Sequence, residues 1–171
     1  GPRLHFASTC IVAVGTLISS FWILAANSWM QTPQGFAFAQ DGTMVATNFV
    51  EVIFNPSLPS RLAHMVLAAF LTTAMVVAGA SAFALIMKKA IPESRTALRM
   101  AVLMMAIVAP LQTVVGHESG KVAHEYQPAK VAAMEGWWET KSQQPTLLFG
   151  WPDQDAEETH LALGIPGSGT T

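Results

Sequence analysis

The chain has 171 residues, 51% of them hydrophobic and only 12% charged, where about 25% charged is usual for a soluble domain. That balance points to a bilayer as the solvent. A formal net charge of −2 leaves no basic excess to answer a phosphate backbone and excludes nucleic acid as a partner, and the single cysteine, Cys10, reads as a small side chain in an apolar run.

The chain opens Gly1-Pro2-Arg3 with no Met and no charged leader ahead of a cleavage site, and closes in the loop chemistry of Gly164 to Thr171. An internal piece of a longer protein is the expectation. A hydrocarbon core of about 30 Å takes about 20 mostly apolar residues as helix, and three segments qualify. The first covers about residues 4–30, with no charge between Arg3 and Asp41; the second covers about 62–87, bounded by Arg61 and by Lys88-Lys89; the third covers about 97–115, with Arg99 near its start and Pro110 near its end. Ala, Gly, Ser and Thr recur through them (Ala13, Gly15, Ser19, Ser20, Ala78, Gly79, Ala80), which lets backbones or a flat cofactor come close. The fold class expected is an all-α membrane protein, with three transmembrane helices of a larger bundle in residues 1–116 and an outer-face loop carrying a short helix in 117–171.

Orientation follows from the loops. Lys88, Lys89, Arg95 and Arg99 surround the turn between the second and third spans, whereas 31–60 carries Asp41 and Glu51 and no cation until Arg61. The positive-inside rule puts the basic turn in the cytoplasm and the residues after about 116 outside. The stretch 31–60 has room for one short helix near 44–54. After the third span, Gln127 to Gly136 reads as a short helix with Pro128 in its first turn and Gly136 as its stop, and the remaining tail, with Pro145, Pro152 and Pro166, as an extended loop.

His64 is the most informative residue. It lies about one turn inside the second span, on a face continued by Ala68, Leu71 and Met75. A histidine in a bilayer helix usually has a function, and near a helix N-terminus the dipole favours the neutral ring that iron accepts; a histidine bonded to a neighbouring helix is the plain alternative. Lys130 and Glu135, five residues apart on the short helix, point about 140° away from each other and so are not an ordinary i,i+4 ion pair. They could flank a ligand, the carboxylate accepting a proton and the ammonium holding an oxyanion, or be two solvated charges. His5 sits near the inner end of the first span. Ser19, Ser20 and Asn27 suit interhelical hydrogen bonds. His117, His124 and His160 match no zinc spacing and read as loop residues, and the five tryptophans suit interfacial anchoring or loop packing.

Several stretches together resemble subunit I of the cytochrome bd-type quinol oxidases, including the cyanide-insensitive branch: Arg3-Leu4-His5-Phe6, the run Gly15 to Pro33, the segment from Asn55-Pro56 to Thr73 around His64, and Gln127-Pro128-Ala129-Lys130-Val131-Ala132-Ala133-Met134-Glu135. The resemblance implies a bacterial inner-membrane respiratory enzyme that oxidises ubiquinol or menaquinol at its outer face. It implies that electrons pass through haems to reduce dioxygen to water, building a proton gradient without pumping. It makes His64 the axial ligand of a low-spin haem b, and Lys130 and Glu135 the quinol-binding pair of the periplasmic loop, whose first part would be residues 117–171. A high-spin haem b and a haem d complete the full subunit, with their remaining ligands outside this chain. Ser19, and less directly His5, would lie near the inward proton route or a haem. Subunit II and small accessory subunits are the implied partners, and a chain of this extent is expected to be inactive alone. Two other readings share some of the residues: a membrane b-type cytochrome that only passes electrons from quinol, and a cofactor-free transport or structural protein.

Overall fold

The computed structural model describes residues 1–139 and 145–166. In chain order the elements are α1 (Pro2–Gln31), β1 (Phe36–Phe38), β2 (Met44–Ala46), α2 (Phe49–Ile53), α3 (Leu58–Ile86), α4 (Ile91–Tyr126), α5 (Pro128–Glu135), β3 (Thr146–Asp153) and β4 (Glu158–Ile165). Among the described residues three helices, α1, α3 and α4, are long and apolar enough to cross a membrane. The chain divides into two compact units, residues 1–119 and 120–171.

In the first unit the spanning helices carry large apolar side chains on nearly all sides. Phe6, Ile11, Ile23, Val76, Phe83, Leu103 and Ile107 are all exposed, as expected of helices whose solvent is lipid or further protein. Apart from Leu58 of α3 and Val108 of α4, what they bury is small: Ala25 and Ser28 of α1, Ala74 and Ser81 of α3, and Ser94 and Ala101 of α4. Small residues allow close approach where hydrophobic burial supplies no drive. Hydroxyls in the spans bond back to their own helices, Thr16 Oγ1 to the Val12 carbonyl at 2.8 Å, Ser20 Oγ to Thr16 at 2.8 Å and Thr73 Oγ1 to Ala69 at 2.8 Å, which satisfies them without water. Ser20 therefore serves its own helix rather than a neighbour.

The end of α1 is joined to the start of α3 by a buried polar knot. Thr32 Oγ1 and Ser57 Oγ lie 2.7 Å apart, and Thr32 Oγ1 is also 3.2 Å from Asn55 Oδ1. The Asn55 amide donates to the Val52 carbonyl at 3.1 Å and to the Ala25 carbonyl of α1 at 3.4 Å. Asn55 and Ser28 are completely buried. Beside the knot the Arg61 guanidinium donates to Asn27 Oδ1, an interhelical bond from α3 to α1. Between the two helices a β1–β2 hairpin precedes α2. Asn48 caps α2, accepting from the Val50 and Glu51 amides, so the expected helix at 44–54 is confined to its second half and its first residues are strand.

Two expectations are corrected. The helix that contains the expected third span is longer than 97–115: α4 begins at Ile91 and continues through Pro110 to Tyr126. Apolarity reports depth in the hydrocarbon, whereas the helical ladder needs only backbone partners and runs on through Glu93, Arg95, His117 and Glu118. Pro110 removes one amide from that ladder without ending it, as spanning helices tolerate. His117 and His124 are accordingly helix residues, not loop residues.

The second correction lies in the second unit. Residues 146–165 are not an extended loop but an antiparallel β3–β4 hairpin, pairing Leu147 with Gly164, Trp151 with His160 and Asp153 with Glu158; the rest of the expected loop after Glu139, residues 140–144 and 167–171, lies outside the described residues. Its turn is held by Asp153 Oδ1, which accepts from the Asp155 amide at 3.0 Å and the Ala156 amide at 3.2 Å. Pro145 and Pro152 had suggested irregular chain, but the apolar residues of Leu147 to Trp151 and Leu161 to Ile165 suit a ladder. α5 ends as expected at Gly136, which adopts the left-handed conformation (φ 67°, ψ 35°) that favours glycine. Thr159 Oγ1 ties β4 to that stop, donating to the Gly136 carbonyl at 2.8 Å and accepting from Trp138 Nε1 at 3.1 Å.

Candidate functional site

Two sites emerge, one in each unit. In the first, α3 holds His64 less than two turns from its start, and the polar knot at Asn55 and Ser57 fixes where that start is. The imidazole is half-buried and meets α4. Its Nε2 lies 3.1 Å from Gln112 Nε2. One turn further along α4, Gly116 presents only backbone to the ring: a Cβ there would lie 3.4 Å from His64 Cε1 and 3.7 Å from Nδ1. Further on, Ser119 Oγ donates to the Ser60 carbonyl at 3.4 Å and to its own Val115 carbonyl at 2.9 Å. Two polar atoms at this contact are buried without a partner, His64 Nδ1 and Gln112 Oε1, and such orphans are rare unless a function needs them.

Sequence reasoning missed Gln112. The available signal was that it is the one carboxamide in the stretch from Ala97 to Val115, and an amide at that depth calls for a partner. It also missed Asn55, Thr32 and Ser57 as a structural set.

The second unit carries Lys130 and Glu135 on α5, and they do not converge. Glu135 is half-buried and lines a cleft of about 310 Å³ with Met134, Leu147, Phe149, Pro152 and Thr159. Lys130 is exposed on another face of the helix and does not line that cleft. On the hairpin His160 Nε2 lies 3.6 Å from Asp153 Oδ2. The Asp153 carboxyl is held below its ordinary range by the Ala156 and Asp155 amides first and by His160 after them. His5 and Ser19 are both exposed on α1. Among the described residues no group of three or more His, Cys, Asp or Glu side chains is placed to hold a metal ion.

The model of the family described as cytochrome bd terminal oxidase subunit I matches residues 1–171. The chain belongs to that family. It is 38% identical over 169 residues to cytochrome bd-II ubiquinol oxidase subunit 1 of Escherichia coli (strain K12), covering 95% of this chain and 32% of that protein. It is 36% identical over 165 residues to cytochrome bd ubiquinol oxidase subunit 1 of Bacillus subtilis (strain 168), covering 96% of this chain and 35% of that protein. The bd oxidase structure from Geobacillus thermodenitrificans is similar with a TM-score of 0.86 at 34% identity, covering 97% of this chain and 38% of that one. The chain thus spans about a third of the length of the curated relatives it matches.

A bd-type subunit of this family calls for haem, and the contact around His64 fits one. A half-buried imidazole, an orphaned amide oxygen beside it and a glycine where a side chain would press on the ring are in keeping with such a group at this contact.

Proposed function

We propose that this chain forms the quinol-side part of subunit I of a bacterial terminal oxidase, in which electrons from a quinol reduce dioxygen to water. The observation that carries this is the His64 contact, a half-buried imidazole between two apolar helices with polar atoms left over on both partners, in a chain of the cytochrome bd family. His64 is the axial ligand of a low-spin haem b. A haem bound there supplies a one-electron carrier; a high-spin haem b and a haem d, or a second haem b in its place, belong to parts of the subunit outside this chain.

The chain's own residues act on the quinol. Each quinol releases two protons and two electrons, and four electrons and four protons convert one dioxygen to two waters. Glu135, lining an open cleft of about 310 Å³, accepts a proton from a quinol hydroxyl while Met134, Leu147 and Phe149 offer apolar contact to the ring. Lys130, on a different face of α5, holds the headgroup electrostatically on its approach rather than from within the cleft. The donor is ubiquinol or menaquinol. The turn between α3 and α4 is cytoplasmic and the residues after about 116 are periplasmic, a reading that the cations around that turn support. Quinol protons then leave outward while those consumed by dioxygen enter from inside past α1, where Ser19 and His5 border the route, so the membrane is charged without a pump. Subunit II and small accessory subunits complete the complex in the inner membrane, and this chain alone does not turn over.

Reduced-minus-oxidised spectra of the full complex test the assignment. With His64→Ala the low-spin b band is lost while the haems of the oxygen site remain; retention of that band at full intensity removes His64 from the haem.

A further inference from the structure

The His64 contact contains more than a ligand. Gln112 Nε2 faces His64 Nε2 at 3.1 Å. An amide nitrogen can only donate, so in this arrangement the ring accepts at Nε2 and carries its proton on Nδ1. That leaves His64 Nδ1 as a buried donor with nothing to bond and Gln112 Oε1 as a buried acceptor with nothing to bond. The two leftovers are chemically complementary and belong to side chains already in contact. A leucine or methionine would fill the same space on α4 without burying an unpaired amide oxygen, and leaving a buried polar group unsatisfied costs on the order of 1–3 kcal/mol.

We infer that Gln112 is the positioning residue of His64, pairing with whichever ring nitrogen the iron leaves free and so fixing the tautomer and basicity of the ligand. This rests on His64 being the haem ligand. A carboxamide suits the task because it offers a donor and an acceptor from one planar group: the nitrogen satisfies the ring before metal binds, and the oxygen accepts the remaining N–H afterwards. Gly116 keeps the opposite edge of the ring clear, since a Cβ would stand 3.4 Å from Cε1 and limit the reorientation this exchange needs. Hydrogen bonding to the free nitrogen of a ligating histidine makes the ring a stronger donor, which stabilises ferric over ferrous iron.

The sign of the effect gives the test. In the whole complex, redox titration of the low-spin haem b is compared for wild type, Gln112→Leu and Gln112→Glu. Gln112→Leu removes the acceptor and shifts the midpoint potential upward. Gln112→Glu keeps an acceptor of greater strength and shifts it downward. Opposite shifts support the inference, as does loss of the haem in Gln112→Leu with retention and a downward shift in Gln112→Glu. Potentials equal to wild type in both variants, shifts of the same sign, or loss of the haem from both would show that Gln112 only packs, and would overturn the inference. His64→Ala in the same series keeps the two questions apart: if that variant retains the low-spin band, the ligand assignment fails; if it loses the band while the Gln112 variants titrate as wild type, only the role of Gln112 fails.

Discussion

At the scale of single residues the decisive fact about Glu135 is its surroundings. It is half-buried at the rim of a cleft whose other walls are Met134, Leu147, Phe149 and Pro152, whereas Lys130 stands exposed on the same helix. Glu135→Gln keeps the shape and removes the proton acceptor, so quinol oxidation by the full complex should fall about 10²-fold or more, the usual contribution of a positioned acid or base, with the haem spectrum unchanged. Lys130→Gln should act mainly on KM, because an exposed cation guides a headgroup more than it stabilises a buried charge. Steady-state quinol oxidation kinetics separate the two; equal effects on kcat and KM from both variants would contradict the division of roles.

At the scale of elements, the polar knot sets the register of α3. Asn55 is completely buried and its amide reaches the carbonyls of Val52 and, on α1, Ala25. Asn55→Ala removes the amide bonds to those carbonyls and one acceptor of the Thr32 and Ser57 hydroxyls, and should destabilise the complex by about 1–3 kcal/mol, read as a lowered thermal midpoint; no change would mean that the knot is not what anchors α3. The sequence exposed the three spanning helices because a bilayer leaves its mark as length and charge depletion, and it exposed α5 because Pro128 and Gly136 bracket it. It hid the ends of α4, where a polar helix continues past the lipid, and it hid the β3–β4 hairpin, whose prolines resemble loop punctuation. His64 was legible as an ionisable group in an apolar run. Its partner was not, because Gln112 lies 48 residues further along and only the meeting of α3 with α4 brings the two together.

At the scale of the molecule, the proposed function depends on which side of the membrane the basic turn faces. The spanning helices bury little more than small side chains among themselves and leave large apolar ones outward, so bilayer and neighbouring protein, rather than an internal core, stabilise them. If the basic turn is cytoplasmic, a membrane-impermeant maleimide applied to intact spheroplasts should label Ala156→Cys in the hairpin turn and spare Lys89→Cys, both positions being exposed, in a background lacking Cys10. The reverse pattern would invert the proton geometry and with it the means of charging the membrane.

The short turn from Met87 to Ala90 has one more effect. His64 and Gln112 stand at equal sequence distances on either side of Lys88, so the two helices behave as a folded ruler whose marks coincide only when both arms are counted from the same crease. One residue added to a single arm between the crease and either mark would rotate everything beyond it by about 100° and advance it by about 1.5 Å, turning imidazole and amide away from each other. The lengths of the two arms are therefore locked to one another even where their apolar side chains are free to vary.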